Sequence, residues 1–197
     1  MKFNNPMIGR RAAVLFIAIG LPIMAADAPQ GVTNFQQVSD HLYRGAQPTS
    51  DGFKSLSKLG VKTIVDLRES GSRAREEQKL VESLGMRYVN VPLAGFSAPT
   101  EDEVLKVQAL FEDGSPGPVF VHCRRGADRT GTMVAIYRIN HDHWSNDQAL
   151  KEAKSFKMAG WEVQMKNYVR HYQARQAQKV EAAQNGQPTV STAAATQ

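Results

Sequence analysis

Between residues 35 and 172 the apolar positions fall into short blocks whose spacing switches repeatedly between strand-like and helix-like. Phe35 to Val38 and His41 to Arg44 read as two short strands of a hairpin, turned at Ser39-Asp40. Pro48 to Leu59 sets Phe53, Leu56 and Leu59 on one face at helical spacing, with Gly60 as the stop. Val61 to Leu67 is a compact run, β-branched at Val61, Thr63, Ile64 and Val65, and predicts a strand. A helix follows from Arg73 to Leu84, ended by Gly85, and Met86 to Pro92 supplies the next strand. Thr100 with Glu103 three residues on is a capping-box pattern, opening a helix to about Phe111. Asp113 to Pro118 forms a turn and Pro118 to Val121 a buried strand. Thr130 to Asn140 is a largely apolar helix, with two more at Asn146 to Phe156 and Trp161 to His171. Strands alternating with helices predict an α/β protein, a three-layer α/β/α fold with a central, mostly parallel sheet. One loop, between the buried strand and the apolar helix, interrupts the pattern with polar residues and glycine.

Both ends depart from this pattern. Lys2, Arg10 and Arg11 precede an apolar run, Ala12 to Met24, followed by Ala25 and Ala26. A positive head, a short apolar middle and a small-residue exit predict a secretory signal peptide over residues 1–26. The run is shorter than the about 20 residues that span a bilayer, so no stable membrane insertion is expected after cleavage. An uncleaved anchor is the alternative. The expected location is the periplasm or the exterior. Residues 176–197, rich in Ala, Gln and Thr, lack an apolar face and read as a disordered tail. One domain is left, over residues 30–175.

Composition changes this picture in two places. The chain carries a formal charge of +5, but without the leader's three cations 21 basic residues face 19 acidic ones. Bulk charge therefore gives no reason to expect a nucleic-acid partner. The chain has one cysteine, Cys123, which excludes an intrachain disulfide and leaves a thiol that is buried, paired with another chain, or chemically used.

The loop His122-Cys123-Arg124-Arg125-Gly126-Ala127-Asp128-Arg129-Thr130-Gly131 is where that thiol falls. A strand that feeds a helix through a short loop points backbone N–H groups into the loop, and the helix dipole adds positive charge there. Such surroundings favour a thiolate, which needs no separate base to attack phosphorus. Arg129, six residues on, can grip two phosphate oxygens at once. The Thr130 hydroxyl can bond the sulfur as it leaves. Gly126 permits the turn that aims N–H groups inward, Ala127 completes the loop, and Gly131 permits close packing as the helix begins.

His122-Cys123, five residues, then Arg129-Thr130-Gly131 closely resembles the signature of cysteine-dependent protein tyrosine and dual-specificity phosphatases. Leu42-Tyr43-Arg44-Gly45 with Gln47-Pro48, and Thr63-Ile64-Val65-Asp66-Leu67-Arg68, look like the amino-terminal segments of compact bacterial and fungal-type dual-specificity phosphatases. The resemblance spans roughly residues 35 to 172. It implies hydrolysis of phosphate monoesters through a phosphocysteine intermediate, without a cofactor, and a His122 that orients the loop and tunes the thiolate. It also implies a general acid, usually an aspartate on an earlier loop. The matching stretch, Val91 to Thr100, holds no carboxylate. Asp128 inside the loop is the expected acid, with Glu101, Asp102 and Glu103 as alternatives; a carboxylate that only fixes the loop is the competing role for Asp128.

Arg124 and Arg125 add two cations to the loop and favour a substrate with several negative charges, an inositol phosphate or phosphoinositide, over a phosphorylated protein. Arg68 is expected to bridge to Glu69 or Glu76, with contact to substrate as the alternative. His141-Asp142-His143 reads as polar capping of a helix end rather than a metal site. The alternatives to an active phosphatase are a catalytically inactive phosphate-binding module of the same fold and a rhodanese-like sulfur transferase.

Overall fold

The structure, a computed structural model, describes residues 28–112 and 117–172. The leader (1–26) and tail (176–197) expected from the sequence lie outside these residues, as do residues 173–175 of the expected domain and most of the expected turn from Asp113 to Pro118. In chain order the elements are β1 (Gln36–Gln37), β2 (Leu42–Ala46), α1 (Ser50–Lys58), β3 (Thr63–Asp66), α2 (Ser72–Ser83), β4 (Arg87–Asn90), α3 (Glu101–Glu112), β5 (Val119–Cys123), α4 (Asp128–Asn140), α5 (Asn146–Ser155) and α6 (Val163–Arg170). Each expected strand and helix is present, with ends displaced by a few residues.

The five strands form one sheet in the order β1-β2-β5-β3-β4, antiparallel only at β1–β2. Strand alternation sends successive side chains to opposite faces. Tyr43, Ile64 and Phe120 face α1 and α2, packing with Phe53, Leu56 and Val81. Leu42, Val65, Val119 and Val121 face the other helices, packing with Val107 of α3, Met133 and Ile136 of α4, Leu150 of α5 and Val169 of α6. The result is the three-layer α/β/α arrangement. α4 is buried nearly all round, which is why its sequence is apolar without a stripe.

β5 sits between β2 and β3, parallel to both, with Ala46 opposite Cys123 and Asp66 opposite His122. The carboxyl ends of three strands therefore converge on the loop after β5, the usual ligand position in an open α/β sheet. The capping box at α3 forms as expected: Glu103 N–H donates to Thr100 Oγ1 at 3.3 Å, and Thr100 N–H donates to Glu103 Oε2 at 2.7 Å.

Candidate active site

Cys123 closes β5 and is buried, 3% exposed. The next four residues carry the chain into α4, whose N-cap residue, Ala127, supplies no side-chain cap. The first amides of a helix have no partner within it, so here they are left for an anion.

Hydrogen bonds from outside the loop decide which way its peptides face. Asn34 Nδ2 donates to the carbonyls of Arg125 (3.2 Å) and Gly126 (3.1 Å). Arg44 Nη2 donates to the Gly126 carbonyl at 2.8 Å, and Gln47 N–H to the Arg124 carbonyl at 3.4 Å. In a trans peptide the C=O and the following N–H point in opposite directions. Pinning the carbonyls of residues 124, 125 and 126 outward therefore turns the amides of 125, 126 and 127 into the loop. Gly126 adopts φ +66°, and a Cβ there would stand 2.3 Å from the Gly45 carbonyl carbon and oxygen. Both the left-handed backbone and the contact with β2 require glycine. Asn34, itself at φ 55°, takes a conformation asparagine tolerates better than most residues.

Arg44 is fully buried beneath the loop, with Phe156 stacked 4.1 Å from its guanidinium carbon. Burial pulls its pKa down to about 10, against the opposing attraction of Glu152 and Cys123. Positive charge is thus held below the thiol, beside the amides.

Behind the thiol lies a second buried group. Arg68 bonds Asp66 through Nε and Nη2 (2.8 Å to Oδ1 and 2.6 Å to Oδ2) and Glu77 Oε2 through Nη2 at 2.7 Å. The structural bridge expected for Arg68 is present, with partners Asp66 and Glu77 in place of Glu69 or Glu76. Burial acts to raise the Asp66 carboxyl, but Arg68, the charge of His122 and the Tyr88 hydroxyl together hold it below its usual range. Tyr88 is pushed up by burial and by donating to Asp66. Asp66, Glu77 and His122 lie close enough together to suggest a metal ligand set. The Arg68 guanidinium already bridges both carboxylates and balances one of their two charges.

The remaining loop side chains divide by what they touch. Arg129 extends from the first turn of α4 to the segments after β3 and β4, its Nη1 donating to Leu67 O and Glu69 Oε1 (both 3.3 Å) and to Leu93 O (3.4 Å). These are long bonds, readily exchanged for phosphate oxygens. Thr130 Oγ1 is buried with no hydrogen-bond partner, the sulfur included. Gly131 lets α4 approach α5, for a Cβ there would meet Ala153 at 3.4 Å. Arg125 Nη2 donates to Asp128 Oδ2 at 2.5 Å, and Asp128 Oδ1 accepts from Ala159 N–H at 2.8 Å. Arg124 instead lines a cleft of about 160 Å³ with Gln47, Arg68, Glu69, Arg73, Ala74 and Arg129. Asn34, Arg73 and Glu77 are site residues that sequence patterning did not pick out, and Gln47 was in view only as part of a resembling segment. Arg44 was in view, but its place under the loop was not.

A thiol at a strand end, inward-turned amides, an uncapped helix and an arginine in that helix's first turn define the cysteine-dependent phosphatase class. A family profile described as "DSP-PTPase phosphatase fused to NAD+ Kinase" matches residues 23–189, and the chain belongs to this family. Dual specificity protein phosphatase TpbA of Pseudomonas aeruginosa strain UCBPP-PA14 is 32% identical over 127 residues, covering 64% of the chain and 56% of TpbA. Inositol diphosphatase DSP3 of Arabidopsis thaliana is 26% identical over 141 residues, covering 70% of the chain and 68% of that protein. The core catalytic domain of the PP-IP phosphatase SIW14 from S. cerevisiae superposes with a TM-score of 0.64 at 22% identity, covering 78% of the chain and 93% of that domain. The chain thus spans 56% and 68% of the length of these two curated relatives.

Proposed function

We propose that the chain is an exported cysteine-dependent phosphatase that hydrolyses phosphate monoesters through a phosphocysteine intermediate. The observation that carries this reading is the outward pinning of three loop carbonyls by Asn34, Arg44 and Gln47, which builds an anion cradle around Cys123. The Cys123 thiolate attacks phosphorus, the S–P bond forms, and the ester P–O bond breaks. Arg129 binds the equatorial oxygens, and the departing oxygen takes a proton from Asp128. Water then attacks phosphorus, passing its proton to Asp128. Thr130, its hydroxyl unpaired, donates to the sulfur as the S–P bond breaks. Family membership and the intact Cys123, Arg129 and Thr130 favour this over sulfur transfer or an inactive module. Export rests on the leader sequence; no helix among the described residues is long and apolar enough to cross a membrane.

Asp128 can supply the proton only when Oδ2 leaves Arg125. The Arg125 side chain is 56% exposed, so that ion pair is worth at most about 1 kcal/mol and opens cheaply. Asp128→Asn is expected to slow alkyl phosphates strongly and aryl phosphates with good leaving groups little. Equal losses on both classes in steady-state assays would leave Asp128 as a brace only.

The cleft favours a substrate with a second phosphate. Arg125 is tied to Asp128 and Arg68 to Asp66 and Glu77, whereas the Arg73 and Arg124 side chains make no hydrogen bond or ion pair among the described residues. Arg73 stands in the first turn of α2, which has no acidic residue there. DSP3, named an inositol diphosphatase, points the same way. Replacing both arginines by Ala is expected to raise KM for an inositol polyphosphate about tenfold, the worth of one charge-assisted hydrogen bond, with p-nitrophenyl phosphate unaffected. An equal effect on both substrates would contradict this use of the cleft. Phosphotyrosine is the second reading. It is favoured by Phe96 and Trp161, 71% and 60% exposed with ring centroids 5.5 Å apart, on loops adjoining the Leu93 and Ala159 contacts. A phosphate-release screen containing phosphotyrosine peptides, phosphoinositides and inositol polyphosphates decides between them.

A further inference from the structure

His122 precedes the nucleophile and is fully buried, so the groups around its two ring nitrogens settle its state. Nδ1 lies 3.3 Å from the Cys123 carbonyl oxygen and 3.9 Å from Asp66 Oδ1. Nε2 lies 3.0 Å from Glu77 Oε1, an ion-pair distance without the alignment of a formal hydrogen bond. Neither of those last two atoms has another hydrogen-bond partner. A neutral imidazole presents one N–H and one lone pair. Here every near polar neighbour of the ring is an acceptor, so a lone pair on either nitrogen would oppose an oxygen lone pair with no water between them.

Charge leads to the same state. Asp66 from the end of β3 and Glu77 from α2 bring two negative charges, and Arg68 brings one positive charge. Tyr88 of β4, a neutral donor to Asp66, does not alter that count, and the ring contacts from α1 and β5 are the uncharged Phe53 and Phe120. A second proton on His122 makes the buried group neutral, which removes the cost of an unpaired buried charge.

Glu77 cannot turn away from this task. Its Oε2 accepts from Arg68 Nη2 at 2.7 Å and from Gln47 Nε2 at 3.0 Å, which leaves Oε1 facing the ring. We propose that Glu77 is a positioning residue for the reaction: it keeps His122 protonated on both nitrogens, with Nδ1–H on the Cys123 carbonyl, and so sets a positive ring behind the nucleophile. This inference rests on Cys123 being the nucleophile and adds a residue that never touches substrate. It links the inner face of α2 to the chemistry through the last residue pair of β5.

Glu77→Gln is a specific probe because Arg68 and Gln47 fix which way the new amide faces. Their donors require its oxygen at the Oε2 position, so its NH₂ group must face Nε2. That arrangement accepts only a neutral ring with its proton on Nδ1. In the full-length protein two measurements read the change without turnover. The ¹⁵N resonances of the His122 ring are expected to report two protonated nitrogens at pH 7 in the wild type and one in Glu77→Gln. Alkylation of Cys123 by iodoacetamide at pH 6 is expected to be about tenfold slower in the variant, its pH profile displaced upward, because a neighbouring positive charge favours the thiolate. A singly protonated His122 in the wild type overturns the proposal, and that spectrum decides the matter even if the variant fails to fold. So does an unchanged alkylation profile in folded Glu77→Gln. Loss of the phosphatase reading would appear separately, as turnover that survives replacement of Cys123.

Discussion

Cys123→Ser is expected to lower turnover of p-nitrophenyl phosphate by roughly 10⁵-fold or more, the scale on which removal of an enzymatic nucleophile acts. The exchange is nearly isosteric, and the residue sits 3% exposed at the end of a central strand, so the fold should survive. What changes is the state of the attacking atom. A hydroxyl in the same cradle keeps its proton, because it is far less acidic than a thiol. The cradle itself is untouched, because Asn34, Arg44 and Gln47 hold the loop through backbone carbonyls. The variant should therefore still bind inorganic phosphate, an oxyanion that needs no bond to residue 123, which isothermal calorimetry can measure. Full activity in Cys123→Ser would end the account.

Arg129→Ala is the second large effect. The guanidinium is held by three long hydrogen bonds to the segments after β3 and β4 and would meet substrate with a planar fork that matches two phosphate oxygens. An arginine that stabilises a transferring phosphoryl group contributes about 10³-fold or more to kcat. A drop of that order in kcat is expected, with a smaller change in KM. Arg129→Lys restores the charge without the fork and should recover only a small part of it. A variant that changes KM alone would place Arg129 in ground-state binding and not in the transition state.

The two effects arise from residues six apart in one loop, and that is why they were legible in the sequence. Strand, loop and helix are consecutive there, so Cys123, Gly126, Arg129 and Thr130 could each be given a task from spacing alone. The framework of strands was equally legible, because Ile64 and Val65, or Phe120 and Val121, alternate between two buried faces. What the sequence hid is whatever reaches the loop from far away. Asn34 bonds residues 91 and 92 positions on, and Arg44 bonds Gly126, 82 positions on. No local pattern distinguishes such residues from ordinary loop or strand polar groups.

Charged residues near the site illustrate the same limit. Arg124 and Arg125 are adjacent and were read alike, yet Arg125 turns to Asp128 while Arg124 faces the cleft. Arg68 had several carboxylates within reach along the chain. It takes Glu77, on the inner face of α2, because Glu76 points to solvent. α4 begins at Asp128, two residues before the expected Thr130, because Gly131 N–H donates to the Ala127 carbonyl at 2.7 Å and closes a helical turn inside the loop. Helical periodicity could not register a turn whose residues are chosen for an anion.

The most direct measurement is to mix the protein with a fast aryl phosphate substrate, quench in acid within the first turnover, and map the phosphoryl group by peptide mass spectrometry. The account predicts one added phosphoryl group on the peptide containing Cys123, absent in Cys123→Ser. Steady turnover with that peptide unlabelled, or with the group on another residue, would contradict it.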